Sequence, residues 1–382
     1  MSFIPLMSPD ISEEDVEAVA RVLRSGMLVQ GENVAAFERE IADYLGVRHA
    51  VAVANGTASL HLALIALGIG PGDEVVVPAL SFVATANVVE LVGAKCVFAD
   101  VQRDTFNLDP EAFEQAITER TRAVIPVHEF GLACDIGRVV EIARARGIKV
   151  VEDAACALGA TENGRRAGSF GEIGSFSLHP RKAVTSGEGG LIVTDDDAVA
   201  ERCRILRNHG IEMREGRMEF VAAGFNYRMT DFQAAMVRGQ FRKVDETIAR
   251  RDALAKVYFE ALAGEEGLAL PVVPAGKNHT WQTFYPVLDD SIDRDATIAA
   301  LKARGVGSNY GAQCIPDQIY YREAYGLDSA RLFPNALRAE RQGIALPLYA
   351  KLGPEQIGTV AEALKESLAE LSTTAQARAN AG

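Results

Sequence analysis

The sequence predicts an α/β protein, with a large domain built on a mostly parallel, doubly wound sheet and a smaller C-terminal α+β domain. Three observations predict it. Short runs rich in Val and Ile alternate with helical stretches from His49 onward, the alternation fades after about residue 235, and the 382 residues exceed the usual size of one domain.

The elements follow in chain order. HAVAVA, beginning at His49, precedes NGTASLHLALIALG; EVVVPA precedes SFVATANVVELVG; RAVIPV precedes a loop and GRVVEIARARG; KVVEDAA completes the series. Strands this short, joined by helices long enough to cross over, read as parallel neighbours covered on both faces. Ligands of such sheets gather at the carboxyl ends of the strands. VRGQFRKVDETIARRDALAKVYFEALA reads as one long helix linking two domains, because its apolar positions recur three and four apart. Beyond it come the strand-like TFYPVL, the helix RDATIAALKARG, an irregular stretch from Gly307 to Tyr321 and a closing helix near EQIGTVAEALKESLAEL. The expected division is 1–240 for the large domain, N-terminal arm and helix included, 241–372 for the small domain, and 373–382 for a disordered tail of small, polar residues.

Composition removes several classes of function. Asp and Glu number 52 against 39 Lys and Arg, and a net charge of −13 leaves no broad electrostatic footprint for nucleic acid or an anionic membrane. An anionic substrate must therefore find a local basic pocket. The opening MSFIPLMSPD lacks the basic and apolar regions of a secretion signal, and no run reaches the roughly 18 apolar residues of a membrane span, so a cytoplasmic protein is expected. Cys96, Cys134, Cys156, Cys203 and Cys314 include no CxxC pair and read as free thiols, with no disulfide framework and no metal site.

Three segments carry chemistry. In VVEDAA, Val150 to Ala155, a buried strand delivers Glu152 and Asp153 to its carboxyl end, where a carboxylate needs a cation or strong donors. A structural ion pair would answer that need. A protonated pyridinium nitrogen would answer it too, the carboxylate keeping the ring able to accept electrons. In SFSLHPRKAVTSGEGGLIVTDD, a Ser-rich strand leads to Lys182 and a Gly-rich turn leads back into a strand. A lysine between strands is ordinarily a solvated charge, but Lys182 follows the buried acids in a loop of small and hydroxylated residues, where a Schiff-base lysine would reach the same ligand. Gly187, Gly189 and Gly190 would permit unusual dihedrals beside a bound ring. Finally, Ala54 to Ser59 joins a strand to a helix, which makes either a phosphate site or an ordinary N-cap by Asn55 or Thr57.

Together these segments resemble the DegT/DnrJ/EryC1/StrS sugar aminotransferases, within the type I pyridoxal 5′-phosphate (PLP) transferase fold. The resemblance runs in order through NGTASLHLALIALGIGPGDEVVVPALSFVATANVV, KCVFADVQRDTFNLDP, VIPVHEFG, VVEDAACALGA, GSFGEIGSFSLHPRKAVTSGEGGLIVTDD, LRNHGI and GFNYRMTDFQAA. It implies that Lys182 carries the cofactor, that Asp153 pairs with the pyridinium nitrogen, and that Phe82 stacks on the ring. It further implies that Gly56, Thr57 and Ser177 hold the phosphate. Asn226 would serve the phosphate of a neighbouring subunit, with Arg228 contributing across the same interface as a substrate-binding residue, in a homodimer with shared sites. The implied reaction moves the amino group of L-glutamate, through pyridoxamine 5′-phosphate, onto a keto-sugar. Nucleotide-linked 4-keto or 3-keto deoxysugars are the expected substrates, with cyclitols and other carbonyl sugars as alternatives.

The chain departs from the family pattern at two places. Cys156, three residues after Asp153, stands near the cofactor where relatives often have Gln or His, and is the weaker hydrogen-bonding group. NYGAQCIPDQIYY, from Asn309 to Tyr321, lacks both histidines of the HYPIPLH-like segment of many relatives, which makes it the expected selector of the sugar, with Tyr310 and Gln313 as its substrate-binding residues. His128 and His179 read as structural histidines. Lys182 speaks against a related sugar dehydrase, which carries histidine there, and Lys182 with Asp153 speaks against a silent binding protein. GIGPGD follows a helix and precedes a strand, the wrong context for a nicotinamide site.

Overall fold

The structure, a computed structural model, describes residues 3–379. Its centre is a seven-stranded sheet: β1 (His49–Val53), β2 (Glu74–Pro78), β3 (Lys95–Ala99), β4 (Thr121–Val124), β5 (Lys149–Asp153), β6 (Ile173–Ser177) and β7 (Gly190–Thr194). The spatial order is β1-β7-β6-β5-β4-β2-β3. From β6 to β3 every neighbour is parallel, and only β7, returning through the Gly-rich turn, runs antiparallel to both of its neighbours. The Val-rich runs become strands because both faces are covered. Val75 and Val77 of β2 pack into one apolar layer and Val76 into another, so no residue of that strand is left for water.

The helix Gly56–Ala66 forms directly after β1, capped by Asn55, whose Oδ1 accepts from the amide of Ala58 at 2.8 Å. The expected long linker helix is instead two, Asp231–Phe241 and Val244–Ala261, interrupted at Arg242 and Lys243. The physical reason is a change of partner. The first helix packs on helices Glu13–Ser25 and Glu32–Leu45, whereas the second carries Leu254, Ala255 and Tyr258 into the core of the C-terminal region against the closing helix. One straight axis cannot serve both surfaces.

That closing helix spans Pro354–Ala379 and so continues through most of the segment expected to be a disordered tail. TTAQARA contains neither Gly nor Pro and is rich in good helix formers, so nothing local stops it. Residues 380–382 of the expected tail lie outside the described residues. At the other end, Ile4 belongs to the core of the C-terminal region, and its backbone bonds with Gly305 and Gly307, both at 2.8 Å, tie the N-terminal arm there. TFYPVL contributes only a two-residue strand, Val287–Leu288, and single bridges elsewhere. No helix among the described residues is long and apolar enough to cross a membrane.

Candidate active site

At the carboxyl ends of β1, β2, β5 and β6 lies a cavity of about 650 Å³. Gly56, Thr57, Phe82, Asp153, Cys156, Ser177 and Lys182 all line it. Residues scattered over more than a hundred positions of sequence therefore meet around one space.

The adjacent acids of β5 separate by strand parity. Glu152 points to one side, fully buried, where its carboxylate accepts from the amides of Gly168 (2.7 Å), Phe170 (2.6 Å) and Gly171 (2.7 Å) and pairs with His128 Nε2 at 2.9 Å. It holds a loop, and His128 is structural. Asp153 points to the other side, into the cavity. Its Oδ2 accepts from Thr85 Oγ1 at 2.9 Å and its Oδ1 from the amide of Ala155 at 3.1 Å. Burial pushes its acidity down, raising its pKa, while Thr85, the Ala155 amide, Lys182 and His128 pull the other way. Among the described residues neutral donors alone hydrogen-bond its carboxylate, so its oxygens suit a cationic ligand atom.

Lys182 sits in the loop between β6 and β7, where its amide bonds to the carbonyl of His179 at 2.8 Å. Thr185 fastens the loop, bonding Leu178 through its hydroxyl and Gln240 through its amide. The lysine Nζ reaches into the cavity and donates to Cys156 Sγ at 3.0 Å. Burial raises the pKa of this thiol, which is therefore a weak acceptor beside an amine. Of the three glycines of the following turn, Gly187 takes a left-handed φ of 80°. Gly190 is required by proximity instead, since a Cβ there would lie 2.3 Å from the carbonyl oxygen of Asn55.

The Asn55 turn is an ordinary N-cap, and the same turn lines the cavity. Asn55 caps the helix through the Ala58 amide, and Gly56 and Thr57, whose amides begin the helix and have no partner within it, line the cavity. Gly56 packs on Ser177, where a Cβ would come within 2.9 Å of the serine Cβ, so the turn and the β6 hydroxyl form one shallow cradle. Phe82, 66% exposed, stands at the cavity edge with its flat face available to a ring.

Other expected residues lie elsewhere. Asn226 is exposed and is not part of this lining, and Arg228 is held by Asn208 Oδ1 at 2.7 Å. In NYGAQCIPDQIYY, the strand Gln313–Cys314 pairs with Leu80–Ser81, which brings Gly311 and Ala312 to the cavity. Tyr310 lies outside that lining, under the guanidinium of Arg294 at 4.3 Å, and Gln313 bonds back to the carbonyl of Gly311 at 3.2 Å. Two residues not singled out from sequence join the site: Thr85, on Asp153, and Glu129, buried in the cavity wall. A hydroxyl in the first turn of a helix that follows a strand was the available signal for Thr85. Glu129 gave none.

A buried carboxylate lacking a cation, an amine, a phosphate cradle and an exposed aromatic face match the ring nitrogen, carbonyl, phosphate and ring of PLP in turn. Comparison with known proteins leads to the same cofactor. The family model for the DegT/DnrJ/EryC1/StrS aminotransferase family matches residues 9–365. The spore coat polysaccharide biosynthesis protein SpsC of Bacillus subtilis is 36% identical over 379 residues, covering 95% of this chain and 97% of its own. The putative sugar aminotransferase Spr1654 of Streptococcus pneumoniae, in its PMP form, superposes with a TM-score of 0.93 at 29% identity, covering 98% of this chain and 100% of that one. The aminotransferase TlmJ of Streptoalloteichus hindustanus gives 0.91 at 33% identity, covering 97% and 100%. The protein is a PLP-dependent aminotransferase of type I fold. Its chain belongs to the DegT/DnrJ/EryC1/StrS aminotransferase family.

Proposed function

We propose that this enzyme moves the amino group of L-glutamate onto a keto-sugar, a nucleotide-linked 4-keto or 3-keto deoxysugar, in the biosynthesis of a surface glycan or secondary metabolite. The observation that carries this reading is the cavity itself. At about 650 Å³ it has room for a second molecule beside the cofactor, and Arg181 and His61 line it, so polar and cationic groups face that molecule. The names of Spr1654 and SpsC, a putative sugar aminotransferase and a polysaccharide biosynthesis protein, support the sugar.

Bound PLP supplies an electron sink that allows an amine and a carbonyl to exchange. The chain does the rest. Asp153 would keep a proton on the ring nitrogen, Phe82 would stack on the ring, and Gly56, Thr57 and Ser177 would anchor the phosphate. Lys182 would hold the cofactor, and its Nζ, which enters the cavity beside Cys156, would as a free amine carry a proton between the reacting carbons. Incubation with glutamate and a panel of nucleotide keto-sugars, read by mass spectrometry, should yield one aminated sugar and 2-oxoglutarate. A chain that aminates 2-oxo acids but no sugar would overturn the reading.

The cradle of Gly56, Thr57 and Ser177 offers amides and hydroxyls but no cation, and Asn226 is exposed away from its own cavity. We therefore propose a homodimer in which Asn226, with Arg228 beside it, completes the partner's phosphate site. Light scattering at assay concentration should report a dimer, and Asn226→Ala should weaken PLP retention roughly tenfold, as for loss of one hydrogen bond to a charged group. A fully active monomer would refute this arrangement.

A further inference from the structure

The mechanism leaves one buried acid of the cavity wall without a task. Glu129 is 6% exposed and lines the cofactor cavity; with Phe130 and Thr283 it also borders a smaller adjoining one. Its position is built, not incidental. The His128 amide bonds to the carbonyl of Asp153 at 3.0 Å and the Glu129 amide to Asn107 Oδ1 at 2.8 Å. Phe130 follows with a left-handed φ of 55°, clamped against Tyr285 at 4.1 Å between ring centroids. The carboxylate so aimed receives only the backbone amide of Phe130; no side chain among the described residues hydrogen-bonds or ion-pairs with it. A buried carboxyl group without side-chain partners is expensive unless something else satisfies it.

We infer that Glu129 is a specificity-determining residue whose carboxyl group hydrogen-bonds a hydroxyl of the bound sugar acceptor. The inference rests on the keto-sugar reading above. Asp153 and the phosphate cradle fix the cofactor by other edges, so the partner missing from Glu129 comes from the second molecule in the cavity. The charged and titratable groups acting on it are Asp153 at the end of β5, Cys156 after that strand, Lys182 after β6, and Tyr285 from the C-terminal region. Burial first, then Asp153, raises its pKa to about 8, against Lys182 and the Phe130 amide. Below that pH the carboxyl is neutral and both donates and accepts; above it the donor is lost and an anion faces the ligand.

The test is the apparent Kd of each keto-sugar of the panel for the pyridoxamine phosphate form of the holoenzyme, taken from the sugar dependence of single-turnover rates from pH 7 to 9, with thermal unfolding to verify each variant. Wild type should lose sugar affinity as pH rises through about 8. Glu129→Gln, an amide that never ionises, should bind about as well as wild type at pH 7 and keep its affinity at pH 9. Glu129→Leu should bind roughly tenfold more weakly at pH 7, a larger loss than in the glutamate half-reaction. If Glu129→Leu does not fold, the pH profile of Glu129→Gln decides alone. A wild type that binds a sugar with no pH dependence, or a Glu129→Gln enzyme that keeps the same decline, overturns this inference alone. A wild type that binds no sugar of the panel overturns the keto-sugar reading and this one with it.

Discussion

Lys182→Ala should abolish transamination, with turnover falling by at least about 10³-fold, since in the proposed mechanism one side chain both holds the cofactor and moves the proton. The geometry explains why no neighbour substitutes. The lysine Nζ enters the cavity beside Cys156 Sγ at 3.0 Å, from a loop fastened by Thr185 to Leu178 and Gln240. Arg181, the adjacent cation, cannot act as a neutral amine, because a guanidinium stays protonated. The loop's bonds are made by its backbone and by Thr185, so the variant should fold like wild type. Borohydride reduction of the holoenzyme followed by peptide mapping provides the chemical check. Cofactor mass on the peptide containing Lys182 is the expected result; mass on another lysine would refute the assignment.

Asp153→Asn should fold yet lose roughly 10²- to 10³-fold in turnover, the scale seen when one preorganised electrostatic contact is removed. Asn is nearly isosteric and can still meet Thr85 and the Ala155 amide, so the site keeps its shape. What it lacks is charge. In wild type, burial disfavours the carboxylate, and Asp153 beside a protonated ring nitrogen would be favoured as the carboxylate again, so each group would sustain the charge of the other. With an amide there, the ring nitrogen is more readily deprotonated and the electron sink is shallower. Spectral titration of the bound cofactor should show the ring nitrogen losing its proton at lower pH in the variant. Turnover within a few-fold of wild type would contradict the role of Asp153. Glu152→Gln gives the contrasting case, because its carboxylate faces His128 and the amides from Gly168 to Gly171 rather than the cavity. Its effect should fall on stability rather than on the cofactor's spectrum.

What the sequence determined by itself was the part written in local pattern. Val- and Ile-rich runs between helices specify strands buried on both faces, and such strands carry their chemistry at their carboxyl ends, where Asp153, Ser177 and the Asn55 turn indeed lie. Lys182, Asp153, Gly56 and Thr57 were legible for that reason. Tertiary structure alone decided which of two adjacent acids faces the ligand, because strand parity fixes that they diverge but not which side is the cavity. It broke the linker helix at Arg242, where the two halves find different surfaces, and it drew Ile4 into the C-terminal core. It turned Gly311 and Ala312 toward the cavity and left Tyr310 and Gln313 outside its lining, through the pairing of Gln313–Cys314 with Leu80–Ser81. Glu129 was the least legible of all. A glutamate in a loop reads as a solvated charge, and only the convergence of Asn107, Asp153, Lys182 and Tyr285 from distant parts of the chain removes its water and makes it a member of the site.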